Sequence, residues 1–197
     1  MRPIYFSLNR VEEEDNYSYD RSKLLGVPAI PSGFLDDKLT EDDYFIGQIN
    51  LEEIARSDSP LPKKGFLYFF IDVDTSETKV LYTEEEPNEL ITDINDEFDP
   101  VSYGDTHALY MDFDDNEEDG CAILSDKGED IGLESLITDG DYEILLLLDS
   151  LMMPEGDQKA LTFADIAPYD GYYVFLIKRD DLAKHDFSKV LFMDWGS

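Results

Sequence analysis

Gly65 opens a run, residues 66–71 (FLYFFI), that is apolar at every position. A half-buried strand alternates in character, whereas an unbroken apolar run of this length reads as a strand covered on both faces. A second run of the same kind, residues 172–177 (YYVFLI), follows Gly171. Any fold open to this chain must therefore hold two strands in its interior, with material above and below each. The material is present: 42% of the 197 residues are hydrophobic, with 12 Phe and 12 Tyr. A globule of this length buries roughly 70% of the surface its unfolded chain exposes. Highly charged chains that stay disordered are poor in aromatics, so the acidity of this one belongs to a folded protein.

Further strands are expected at 4–8, 44–49, 79–83, 107–113, 121–124, 144–148 and 190–195, with turn signals between them. Short helices are expected at 51–56, where Asn50 and Glu53 have the spacing of a capping box, and at 132–138, 161–167 and 180–184. The pattern predicts an α+β fold, mainly antiparallel sheet with short helices, in a single domain over 1–197. The chain also divides into halves, 1–100 and 101–197, that echo each other. Tyr44 and Tyr142 each begin a strand, and Gly65 and Gly171 each open an aromatic one. The spacings imply a repeated strand–helix–strand unit with an insertion of about eight residues in the second copy. Chance likeness between two aromatic strands is the competing explanation.

Charge is concentrated in the middle third. Residues 84–143 hold 22 Asp or Glu and one Lys, which is −21 of the chain's −32. A field of that sign argues against nucleic acid and anionic lipid, and for cations or a basic protein surface. A halophile's solvation coat would be spread more evenly and poorer in Lys, which here outnumbers Arg by 10 to 5. One cysteine, Cys121, allows neither an internal disulfide nor a Cys-rich zinc site. The first 20 residues lack the apolar core of a signal peptide, and no run approaches a membrane span. The expected location is cytoplasmic.

Three segments offer candidate sites. Residues 115–126 place Asp115, Glu117 and Asp119 at positions 1, 3 and 5 of a calcium-type loop, Gly120 at 6 and Asp126 at 12. Glu at position 3, Asp at 12 and strand-like flanks depart from the EF-hand pattern, so these four are weak metal candidates and a charged turn explains them equally. The loop over 22–33 carries Ser22, Lys23, Gly26, Pro28, Pro31 and Gly33, a spacing common in ligand loops but without a phosphate-cradle motif. Its glycines and prolines are also ordinary turn residues. The acids Glu84, Glu85, Glu86, Asp112, Asp114, Asp115, Glu117, Glu118 and Asp119 form the candidate partner surface. His107 and His185, the two histidines, lack metal or triad spacing and are expected to be structural.

Five stretches occurring in order resemble the YwqG-like family of bacterial domains of unknown function: SKLLGVPAIPSG, FIGQINLEEI, LPKKGFLYFFID, ILLLLDS and GYYVFLIKRDDLAKHDFSKVLF. The resemblance implies a mixed α+β fold dominated by antiparallel sheet, and implies no activity. It also implies, for some members, a setting among toxin–immunity genes. This chain departs from the family pattern at Leu25-Gly26, where a glycine pair is usual, at Ala29, where an aromatic is common, and at residues 153–157, which keep only Gly156-Asp157 of a Trp-Gly-Asp element.

The function expected is that of a nonenzymatic binding module whose acidic middle engages a basic protein partner, as an immunity protein engages a toxin. No cofactor is implied. The alternatives are an enzyme or small-ligand domain with a pocket where the 22–33 loop meets Tyr68 and Tyr172, and a weak divalent-cation binder.

Overall fold

The computed structural model describes residues 2–10, 20–26, 28–34, 38–39, 43–72, 75, 77–90, 108–114, 120–128, 131–137, 141–152 and 171–196. The strands are β1 (Ile4–Arg10), β2 (Lys23–Leu24), β3 (Ala29–Ile30), β4 (Asp43–Asn50), β5 (Phe66–Asp72), β6 (Thr78–Thr83), β7 (Glu89–Leu90), β8 (Leu109–Asp114), β9 (Cys121–Ser125), β10 (Tyr142–Asp149), β11 (Gly171–Lys178) and β12 (Leu191–Gly196). Helix is confined to α1 (Glu134–Ile137), α2 (Arg179–Leu182) and a 3-10 turn, Ser150–Met152.

The α+β expectation is therefore overturned: among the described residues the fold is antiparallel β, with helices of a single turn. The segment 51–56 shows why. Asn50 Oδ1 accepts the Glu52 N–H at 2.9 Å, as a cap would. Glu53 does not reach back to Asn50; its Oε2 accepts the Ser22 N–H at 2.9 Å. With that half of the box spent on the neighbouring loop, and Pro60 and Pro62 close behind, only a turn forms. The helix expected at 132–138 is the four-residue α1, and that at 180–184 is α2; the one expected at 161–167 lies outside the described residues, as does His107. No helix among the described residues is long and apolar enough to cross a membrane.

Ten strands make one sheet in the order β12-β11-β10-β9-β1-β8-β2-β4-β5-β6, and β3 pairs with β7 apart from it. The sheet curls until its ends meet. The rings of Phe69 in β5 and Phe175 in β11 lie 5.1 Å apart, edge to face, and Tyr82 in β6 packs on Phe187 at 5.9 Å. His185 joins the same seam, its Nε2 lying 3.0 Å from the Pro60 carbonyl. The concave face holds the main core, including Phe6, Leu24, Leu67, Phe69, Leu146 and Phe175. The convex face is covered twice: Ile30, Phe34 and Leu39 cap β4–β5, and Ile131, Leu133 and Leu136 cap β10–β11. These two caps are what allow both aromatic runs to be buried on both sides.

The two halves share a pairing register. Tyr5 faces Asp114 and Asn9 faces Tyr110, so the β1–β8 pair is symmetric about Ser7 and Asp112. Lys23 opposite Gln48 and Leu24 opposite Gly47 correspond to Ala122 opposite Leu147 and Ile123 opposite Leu146, each residue 99 positions from its counterpart. Strands β4 and β10 both bulge at their fourth residue. Leu25 and Leu124, also 99 apart, both take a left-handed backbone, φ 57° and 54°. Such a conformation is uncommon for leucine, and in both places the side chain is buried in the main core. Ser22 Oγ accepts the Asn50 N–H at 2.9 Å, and Cys121 Sγ accepts the Asp149 N–H at 3.4 Å. The repeating unit contains five sheet strands rather than strand–helix–strand. Register makes Asp43, not Tyr44, the counterpart of Tyr142, and the second copy is longer by seven residues, as Gly47 to Phe69 becomes Leu146 to Phe175.

Candidate functional site

The loop over 22–33 is held by its neighbours' side chains. Gln48, buried in β4, accepts the Ala29 N–H with Oε1 at 3.0 Å and donates from Nε2 to the Arg21 carbonyl at 2.9 Å. Asn50 Nδ2 donates to the Asp20 carbonyl at 2.6 Å. Gly26, at φ +68°, stands where an added Cβ would lie 2.9 Å from the Ala108 Cβ. Ser22, Lys23, Gly26, Pro28 and Pro31 are buried, while Gly33 is exposed. The sequence offered no sign that Gln48 and Asn50 anchor this loop, because each lies more than 20 residues from its carbonyl acceptor.

Lys23 shares a face with Gln48 and Tyr110, its partners across the two adjoining strands. Tyr68 stands opposite Gln48 in the next strand, in the cluster of Ile30, Phe45, Phe66 and Phe70. Burial, reinforced by the negative charge of Glu86, pushes the Tyr68 phenol above its ordinary pKa. Tyr172 belongs to the other convex cluster. Lys23 and Tyr68 therefore share a face, and Tyr172 does not join them.

The described acidic residues fall in two places. Asp112 and Asp114 lie on β8 and Glu84–Glu86 directly after β6, with β2, β4 and β5 between. Four strand spacings amount to about 19 Å. Glu84 pairs with Lys64 Nζ at 2.6 Å, which lowers its pKa, chiefly through that charged hydrogen bond, and raises that of Lys64. Glu85 and Glu86 are exposed. Asp112 accepts from Arg21 Nη2 at 3.1 Å and from Asn9 Nδ2 at 2.8 Å, and the Arg21 guanidinium lies 4.8 Å over the Tyr110 ring. Asp114 is exposed and lines a cleft of about 310 Å³ with Ile4, Glu53, Ile54, Ala55, Arg56 and Phe113. Its lining mixes the apolar side chains of Ile4, Ile54, Ala55 and Phe113 with two carboxylates and one guanidinium. Asp115, Glu117, Glu118 and Asp119 lie outside the described residues; Asp126 is exposed just after β9. Among the described residues no three His, Cys, Asp or Glu side chains gather as a metal site.

A family described as a domain of unknown function, DUF1963, matches residues 22–118, a little under half of the chain. The match takes in the 22–33 loop, β4 to β6 and β8. The match is to a domain without an assigned activity, and in this chain that segment lies on the antiparallel β scaffold. No curated protein matches the chain.

Proposed function

We propose that this is a YwqG-like binding protein of the cytoplasm that works without catalysis. Its acidic surface captures a basic protein partner, in the manner of an immunity protein meeting a toxin. The observation that carries this reading is the charge: 47 acidic against 15 basic side chains, a net −32. Such an excess repels itself and destabilises the compact state, so it is retained for something it does. Glu84–Glu86 stand exposed after β6 and Asp114 at the end of β8, four strands away, and in sequence Asp115, Glu117, Glu118 and Asp119 continue from Asp114. The cleft beside Asp114 offers a basic side chain apolar surface on Phe113 and Ile54 and the exposed Asp114 carboxylate, with Arg56 also in its lining. Complementary charge speeds encounter and selects the partner.

The test is capture on the immobilised chain at low and high salt. The same basic protein should be recovered repeatedly at low salt and lost at high salt. Replacing Glu84, Glu85 and Glu86 by Gln together with Asp114→Asn should reduce its recovery. Reproducible capture of nothing, or of a partner indifferent to both changes, removes the proposal.

A further inference from the structure

Because the halves share a register, the two edges of the sheet can be compared position by position. Phe69 pairs with Val80 and Phe175 with Phe192, so Val80 and Tyr82 on edge strand β6 correspond to Phe192 and Asp194 on edge strand β12. Backbone groups along an antiparallel strand turn alternately toward one side and the other. The Arg179 N–H donates to the Asp141 carbonyl at 2.6 Å, toward β10. By alternation Lys178, Leu176 and Val174 turn toward β12, where Leu191 and Met193 face the last two. That leaves the N–H and C=O of Phe192 and Asp194 directed away from the sheet. On β6 the Asp72 N–H donates to the Glu77 carbonyl at 2.8 Å, so Thr78, Val80 and Tyr82 turn outward there.

An open edge is a template for a further strand, and folded proteins guard it with lysine, proline, a bulge or a covering segment. The β6 edge is guarded. Val80 is 4% exposed, Tyr82 packs on Phe187, and Lys79 pairs with Asp43 across the convex face. Strand β12 contains neither Lys nor Pro, pairs with β11 without a bulge and does not pair with β6. Leu191 is 47% exposed and Asp194 is exposed, with Phe192 and Met193 half-buried between them. The scaffold covers one edge and leaves its counterpart bare, so the bare edge is not a requirement of the fold.

We propose that β12 takes an added antiparallel strand from a partner, an extended segment in which apolar and basic residues alternate. Its backbone bonds to the outward N–H and C=O of Phe192 and Asp194. Side chains directly opposite on neighbouring strands share a face. Met193 packs against the cluster over β10–β11 and Leu191 lies on the same face, so apolar residues suit the positions opposite them. Phe192 packs on the main core, and Asp194, two residues on, shares its face and presents an exposed carboxylate that selects Lys or Arg opposite. A second copy of this chain is the poorer occupant, since each copy carries a net −32 and like charges repel. The inference rests on this edge alone, whether or not Glu84–Glu86 and Asp114 meet the same partner.

The experiment is NMR titration of the isotope-labelled full chain with a capped heptapeptide of alternating Lys and Val. The peptide should bind, shift the Phe192 and Asp194 amides and slow their hydrogen exchange. In the proposed pairing the lysine opposite Asp194 exchanges both backbone bonds with it. N-methylation of the peptide's lysines should therefore weaken binding about tenfold or more, while N-methylation of its valines should not. The same peptide with Glu in place of Lys should bind more weakly, and Asp194→Asn should narrow that gap. Asp194→Pro removes an outward N–H and leaves the β11 ladder intact, so it should abolish the shifts with the far-UV spectrum unchanged. The proposal is overturned if the Lys–Val peptide does not bind, if the two methylated peptides bind alike, or if the shifts avoid β12. It is equally overturned if the chain alone forms a dimer that Asp194→Pro abolishes, since the occupant is then a second copy.

Discussion

Gly65 sits at φ +89°, and a Cβ built there would lie 2.3 Å from the Thr83 carbonyl oxygen, an atom fixed in the sheet. Gly65→Ala therefore combines a disfavoured backbone with a clash that cannot relax, and should cost about 2–3 kcal/mol in denaturant unfolding. Gly128 is the contrast, since its Cβ would meet only the movable end of Ile137, so Gly128→Ala should cost distinctly less. Tyr173 gives a pH prediction. Burial, aided by the Asp194 charge, pushes its phenol up to about 12. A raised folded-state pKa means that the folded chain holds its proton while the unfolded chain releases it. Stability should thus be unaffected by this group below about pH 10 and fall between about pH 10 and 12. Thermal unfolding across that window should show the fall, and Tyr173→Phe should make it shallower.

Among the elements, the longer β-strands were legible in the sequence, because each is a short apolar or alternating run bounded by Gly, Pro or acidic turns; β2, β3 and β7, two residues each, were not, the first two lying in the stretch read as a loop. Phe66–Asp72 and Gly171–Lys178 extend the two expected runs by only a residue or two. The helices were legible only as local propensity, and long-range bonds redirected them, as Ser22 did Glu53. The site was less legible still. Lys23 and Tyr68 could be singled out by type, but their shared face with Gln48 arises from pairing between segments far apart in sequence. Strand ends give a sharper test. Asn50 and Asp149 are counterparts, each accepting a backbone N–H two residues on, at 2.9 and 3.0 Å. Asp works at the second place, yet Asn50→Asp should destabilise by about 1–3 kcal/mol, because it sets a carboxylate against the Asp20 carbonyl that the Nδ2 now serves. Lys79 and Asp43 form the other vulnerable pair, with Asp43 fully buried. Lys79→Met leaves that carboxylate without its cation and should cost more than the double change Lys79→Met with Asp43→Asn.

At the scale of the whole molecule, the halves exchange strands. The second strand of each half, β2 or β9, pairs with the first strand of the other, β8 or β1. Neither half completes its sheet alone. A chain split between residues 90 and 108 should therefore yield fragments that fold only together, visible as co-elution when both are expressed and as insolubility or self-association of either alone. On this interlocked scaffold the convex face over β1 and β8 lies between the two caps, and Asp112 and Asp114 stand there or beside it. Asp112 and Asp114 are thus carried at the junction of the halves, while Glu84–Glu86 follow the edge strand β6. The central claim is that acidity serves recognition. Its most direct test is the affinity of the captured basic partner, measured by titration from about 50 to 500 mM salt, a range over which the screening length falls several-fold. Affinity should drop steeply with salt for the natural chain, and the drop should be shallower for the variant with Glu84, Glu85 and Glu86 changed to Gln and Asp114 to Asn. An affinity independent of salt, or identical slopes for the two proteins, would contradict it.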